Sequence, residues 1–496
     1  MDRRLDLGPA LSRRNFLRGG AAYLGAAAFP TAVQALLARQ AHAGRPRAAD
    51  GASPYGELVP AIDRTTGLPL LRLPPDFSYS SFGWTGDPMA DGRPTPGNHD
   101  GMAVVQVLDN RSRDIVLIRN HELIFGDLIG GGDVPVFDPT VVGVSNVAGG
   151  TTTLVFRRGE WVSAEPSLGG TVGNCAGGPT PWGSWLTCEE ALADARAIGA
   201  RIHGWVFEVP APSLGPASAE PITDMGLFRH EAVAIDPATG FAYETEDNNE
   251  RISGFYRYKP NDRSGQIGSL AAGGTLEMLR VADFHGADLR GPLAGQVFEV
   301  DWAPIAEPGR LPDEAVGSFF YFGPSTPYSQ GREGGGAQFS RLEGCWYDSG
   351  SIWFVDTNAG PAGEGVLWRY DTPETLGRSD DRGLLTAVYV SDGFADNPDN
   401  VTVSPRGGLI LCEDGFRSTG TKLLGVTPDG YAFDFAVNEI VIDAPVPGRP
   451  WVPQGNYRTA EWAGACFDPT GRWLFANNYL PGITFAITGP WARGPL

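Results

Sequence analysis

The chain has 496 residues, 42% of them apolar and 19% charged, with 68 Gly and 41 Pro. This composition supports a sizeable buried core and many turns, and it excludes long helices and a disordered body. The net charge is −20, and Lys259 and Lys422 are the only lysines beside 36 Arg, which excludes a nucleic-acid partner because phosphate backbones need a basic surface.

Residues 1–43 read as a twin-arginine signal peptide. Ser12-Arg13-Arg14-Asn15-Phe16-Leu17 opens it, a weakly apolar Gly/Ala-rich stretch follows, and Ala41-His42-Ala43 supplies the small-residue cleavage site. Its removal takes away six Arg and two Asp, leaving a mature charge of about −24. Folding before export suits a protein that acquires its metals in the cytoplasm, and the expected location is periplasmic or extracellular. Residues 44–56 read as a flexible lead-in, and 57–496 as a single catalytic domain. No later stretch is apolar enough to span a bilayer, so no membrane partner is expected beyond export.

Cys175, Cys188, Cys345, Cys412 and Cys466 are odd in number and form no Cys-x-x-Cys, which argues against a disulfide scaffold or a zinc knuckle. A repeat is visible from Asp100 onward: an alternating strand, a Pro/Gly turn, a second strand, and an acidic or amide end. Copies start near residues 100, 175, 231, 343, 399 and 463. Short alternating strands in units of roughly 40–60 residues predict an all-β fold, a β-propeller with six blades and loop insertions. The interval from 231 to 343 is twice its neighbours, so it holds either an insertion or a seventh blade; an insertion is preferred. Closed propellers leave few free edges, so a monomer is expected.

In a propeller the inner strand of each blade faces the central channel. The first residues of the copies are Asp100, Cys175, Glu231, Glu343, Asp399 and Ala463, with period two returning Glu461 to the last place. The second strands end in Asn120-His121-Glu122, Glu189-Glu190, Glu246-Asp247-Asn248, Asp356-Thr357-Asn358, Glu413-Asp414 and Asn477-Asn478. Two like charges 4 Å apart repel by roughly 4 kcal/mol at an effective dielectric of about 20. Such a crowd requires cations or retained protons. Oxygen ligands select calcium or magnesium, whereas a thiolate among them selects a softer ion. Capping of turn amides is the commoner role for a single strand-end acid; the repeated placement is what favours ligation. Cys188, Cys345, Cys412 and Cys466 are expected in blade cores. For His99, His121 and His230 a hydrogen-bonded core histidine is as good a reading as a ligand.

The motifs NHDGMA (98–103), RNHE (119–122), NCAGGPTPWGSWLTCEE (174–190), RHE (229–231), SRLEG (340–344) and GACFDPTGRWLFANN (464–478) occur in this order over nearly the whole chain. In them, and in the export signal, the chain resembles the PhoX-type alkaline phosphatases of the DUF839 domain family. The resemblance implies an enzyme that hydrolyses small-molecule phosphate monoesters at Ca2+ and Fe3+ in the central channel. It implies Cys175 as an iron ligand, Glu231 and Glu343 as iron or calcium ligands, and Glu189, Glu190 and Asp414 as calcium ligands. Arg341 and Asn120 would contact phosphate. Attack by a metal-activated water without a covalent serine is expected. A calcium-dependent propeller lactonase or esterase, or a non-enzymatic propeller stiffened by calcium, are the competing readings.

Overall fold

The structure, a computed structural model, describes residues 51–108 and 114–496. The expected signal peptide lies outside the described residues. Those that are described belong to one compact unit and are all-β in character, with strands dominant and one α-helix, Thr326–Glu333, among them. No helix among the described residues is long and apolar enough to cross a membrane.

The repeat seen in the sequence becomes a series of antiparallel sheets. The first runs His99–Val107, Asp114–His121, Gly149–Arg157, Glu160–Thr171. The second runs Asn174–Pro179, Ser184–Glu189, Val206–Pro210. The third (from His230–Ile235) and fourth (from Leu342–Asp348) fuse, because Val297–Pro304 pairs with Gly274–Val281 on one side and Gly383–Val390 on the other. The doubled interval is therefore an insertion, with one bridging strand followed by a long excursion. The fifth begins at Pro398–Val403 and recruits Leu71–Leu73 and Val59–Ala61 at its outer edge. The sixth begins at Trp462–Phe467 and ends on the early strand Ser78–Phe82, which pairs with Ile483–Thr488.

Local chemistry explains the hairpins. In the third sheet, Asp236 accepts from Ala238 N at 2.9 Å and from Thr239 Oγ1 at 2.8 Å, and Gly240 takes φ +73°. Side-chain acceptors and a glycine in the left-handed region fix the turn. Alternate residues fill the layers between sheets: Phe255 stacks on Phe354 at 4.2 Å, and Phe156 meets Phe475 edge-on at 5.1 Å. Part of the expected flexible lead-in is packed as well. Tyr55 is buried, and its hydroxyl donates towards Trp491 O and Leu496 O at 3.2 Å.

Each first strand packs against the first strand of the next sheet, and Trp462–Phe467 closes on His99–Val107. The contacts are close enough to need glycine. A Cβ on Gly101 would lie 2.5 Å from Ala176 Cα, and one on Gly344 would lie 2.7 Å from Asn400 Cα. Both clashes are with backbone, which cannot rotate away. Gly101→Ala is therefore expected to destabilise the protein by about 1–3 kcal/mol, measured by urea unfolding. An unchanged midpoint would show that the strands are not held this tightly.

Candidate metal centre

All six first strands carry a register shift at one equivalent place. The breaks fall between His99 and Met102, Asn174 and Gly177, His230 and Val233, Leu342 and Cys345, Pro398 and Val401, and Ala463 and Cys466. A bulge re-aims side chains and frees them from the ladder. The first bulged residues are Asp100, Cys175, Glu231, Glu343, Asp399 and Gly464. The second are small or polar (Gly101, Ala176, Ala232, Gly344, Asn400, Ala465), and they line one narrow cavity. The sixth equivalent is thus Gly464, not Ala463; the bulge breaks the two-residue period used to place Glu461. Glu461 still joins the cluster: burial first, and then the neighbouring Asp414, Asp100, Asp399 and Glu122, raise its pKa well above the carboxylate range.

The strand ends divide their adjacent polar residues between two tasks. The residue paired with the start of the first strand staples backbone. Glu189 accepts from Val172 N, Gly204 N and Trp205 N at 2.8–3.1 Å, and lies 2.7 Å from His203 Nδ1. Asp356 accepts from Ser340 N and Arg341 N, and Glu413 from Asp396 N and Lys422 N. The next residue turns inward instead: Glu122, Glu190, Asp247 and Asp414. Backbone alternation forces this split.

The inward groups crowd together. Cys175, Glu190 and Glu231 offer ligand atoms within 4.8 Å of one another, and so do Glu231, Glu343 and Asp399. Glu231 belongs to both sets. Burial, followed by neighbouring carboxylates, pushes Asp100, Glu231 and Glu343 well above the carboxylate range. Burial also lifts Asp414 to about 6, Asp399 to about 7 and Glu190 to about 8. Burial and the neighbouring Glu231 raise the Cys175 thiol well above its ordinary value. Glu343 Oε1 is buried and accepts no well-aligned hydrogen bond; the Arg341 guanidinium, 3.1 Å away, is the charged group that faces it. One guanidinium shared with Asp247 cannot neutralise several buried carboxylates, and cations bound among them would relieve the rest. The donor set therefore fits metal ions: oxygens suit a hard cation and the sulfur suits a softer one.

Two guanidinium groups enter this crowd. Arg341 binds Asp247 in a bidentate fork, with Nε 2.9 Å from Oδ1, and its Nη2 lies 3.1 Å from Glu343. Burial opposes its charge, but Glu343 and Asp247 more than offset this and raise its pKa. Arg229 pairs with Glu190, and its Nε donates to Asp247 O at 3.1 Å.

Of the residues singled out from the sequence, Cys175, Glu190, Glu231, Glu343, Asp414 and Arg341 come together here. Glu189 does not, because its oxygens are engaged by backbone and by His203. Burial works against the His203 proton, but Glu189 and Asp138 raise its pKa to about 9, so a buried cation holds Glu189 in place. Asn120 is also engaged. Its Nδ2 donates to Cys175 O at 2.9 Å and Ala176 O at 2.7 Å, and its Oδ1 accepts from Trp185 and Thr187. It positions the cysteine bulge rather than facing the channel with a free amide. His99, His121 and His230 are buried and hydrogen-bonded to the carbonyls of Pro96, Gly97 and Gly226. Burial lowers all three pKa values, as expected of neutral core histidines. All five cysteines are buried and free. Arg229 carried no role in the sequence; its only signal was its place two residues before Glu231, matching Arg341 before Glu343.

Comparison with known proteins places this geometry. The model of the family described as alkaline phosphatase PhoX matches residues 53–167 and 163–482. No curated protein matches. Among solved structures, the chain is similar to a gluconolactonase of Xanthomonas campestris at 11% identity, over 88% of this chain and 99% of that one, with a TM-score of 0.36. With its family model covering most of its length, the chain belongs to the PhoX alkaline phosphatase family and is a phosphatase.

Proposed function

We propose that this protein is an exported, monomeric phosphatase that hydrolyses small phosphate monoesters in the channel of a six-bladed β-propeller, using calcium and ferric ions held by the hub carboxylates. Six sheets meeting through their first strands support the propeller reading, and the twin-arginine segment supports export to the periplasm or beyond. The observation that carries the metal reading is the pair of buried ligand sets sharing Glu231.

Cys175, Glu190 and Glu231 are the donors suited to iron, because a thiolate selects a transition metal. Glu343 and Asp399 complete the adjoining set. Asp414, with Glu122, Asp247 and Glu461, offers hard oxygens suited to calcium. When bound, such ions supply positive charge and Lewis acidity, and they lower the pKa of water. Without them a phosphate dianion would meet an acidic wall. Arg341 spends Nε and Nη2 on Asp247 and Glu343, which fix its plane, and its Nη1 is the donor available to a phosphoryl oxygen. Asn120 fixes the backbone of Cys175, and Tyr479 donates to Glu122 at 2.6 Å, so the donors are set before substrate arrives.

Metal analysis of the purified protein, with hydrolysis of p-nitrophenyl phosphate measured before and after chelation, tests this reading. Iron and calcium are expected, with activity lost on chelation. Cys175→Ala is expected to lose iron and activity together. Wild-type activity in that variant would overturn the mixed-metal assignment.

A further inference from the structure

We propose that the inserted segment after Val297–Pro304 builds an aromatic wall at the channel mouth, and that this wall selects phosphate monoesters whose alcohol carries a flat aromatic ring. The inference rests on the phosphatase reading above and concerns the part of the substrate that does not react.

The excursion crosses the strand-end loops of the second and third sheets. Leu227 N donates to Pro308 O, Asp194 N to Ser318 O, Tyr321 N to Leu192 O, and Asn248 Nδ2 to Gly323 O. These bonds carry residues 317–323, Gly-Ser-Phe-Phe-Tyr-Phe-Gly, to the side where Glu190 and Asp247 turn inward. Phe322 lies over the Arg229 guanidinium at 5.2 Å, and Arg229 itself pairs with Glu190. The ring is thus one residue removed from the candidate ligands, yet it remains 46% exposed. Beside it, Phe319 stacks on Phe125 at 5.3 Å and 23°, and Phe125, three residues beyond Glu122, is 40% exposed.

Single exposed apolar side chains are ordinary on a protein surface. Phe125 rests on Phe319 and Phe322 on Arg229, yet both stay more than a third exposed beside the inward-turning strand ends. A phosphoryl group at the hub must leave its alcohol pointing out of the mouth, where Phe322 and Phe125 stand. A flat ring there would stack on Phe322, whose other face is already polarised by Arg229. A small polar alcohol would gain nothing from either ring.

The test compares phenyl phosphate with glycerol 2-phosphate on the metal-loaded protein, in wild type, Phe322→Leu and Phe125→Leu. Leucine keeps apolar bulk and removes the stacking plane. Phe322→Leu is expected to lose roughly tenfold in kcat/KM on phenyl phosphate, mainly through KM, and to stay within about twofold on glycerol 2-phosphate. Phe125→Leu is expected to show a smaller loss in the same direction. Equal losses on both esters, or no loss on either, would overturn the wall. Binding of phenylphosphonate and methylphosphonate by calorimetry provides a reading independent of turnover. Wild-type protein inert toward both esters would sink the phosphatase reading, and equal affinities for the two phosphonates would then sink the wall on its own.

Discussion

Arg341→Ala is expected to lower kcat/KM for phosphate monoesters by about 100- to 1,000-fold, in the range seen when one preorganised donor to a developing oxyanion is removed. The size of the effect follows from the surroundings. Arg341 is held in a fork by Asp247 and lies 3.1 Å from Glu343, so its orientation is already fixed. Removing it deletes the phosphate clamp and leaves two inward carboxylates without their guanidinium. Arg341→Lys should recover only a minor part of the loss, since an ammonium cannot hold Asp247 in a planar two-point contact and reach phosphate at the same time. Calorimetric titration with inorganic phosphate checks the binding component. A variant with wild-type kcat/KM and phosphate affinity would remove Arg341 from the site.

The second large effect concerns metal-free protein. Burial raises Asp414 to about 6, Asp399 to about 7 and Glu190 to about 8, all above their ordinary values. An acid whose folded pKa exceeds its unfolded one keeps a proton that the unfolded chain releases. Its linked stability is complete below an unfolded pKa of about 4 and drains away as pH rises through the folded pKa. Metal-free protein should therefore lose several degrees of melting temperature between about pH 5 and 8. Protein loaded with calcium and iron should hold its melting temperature across that window, because cations stabilise the ionised forms. His203 follows the same sign with a later window. Its folded pKa of about 9 means that its stabilising charge is complete below the unfolded value of about 6.5 and drains away from there as pH rises through 9, equally in both forms, so the difference between them reports the carboxylates. Scanning calorimetry over this range decides the matter. A metal-free melting temperature that stays flat from pH 5 to 8 would show that the hub carboxylates do not crowd as described.

Much of this arrangement could be read from residues alone. Asp100, Cys175, Glu231, Glu343 and Asp399 are first residues of repeated units, and repetition is visible without coordinates. The partition at the strand ends was not legible. Glu189 and Glu190 are adjacent and chemically alike, and only the ladder register shows that Glu189 faces three backbone N–H groups while Glu190 faces Cys175 and Glu231. The same ambiguity hid Asp247 behind Glu246. The shared bulge was also invisible, since it leaves no composition signal beyond small residues such as Gly101 and Gly344. That is why the sixth position was assigned to Ala463 rather than Gly464. A phosphate contact for Asn120 is implied by the resemblance alone; its four partners lie in the second sheet, and sequence spacing gives no access to them.

The pairing of Ser78–Phe82 with Ile483–Thr488 has a consequence for biosynthesis. An early strand must wait for one made much later in translation. Until the ribosome has delivered residue 488, the sixth sheet cannot be completed, and the cluster gains Glu461 and Tyr479 only shortly before that. Nascent chains that stall before residue 462 would carry an unsealed ring and an open edge, which cellular proteases attack readily. Closure of the ring is then close to all-or-none, deferred until both edge strands of the sixth sheet have been made.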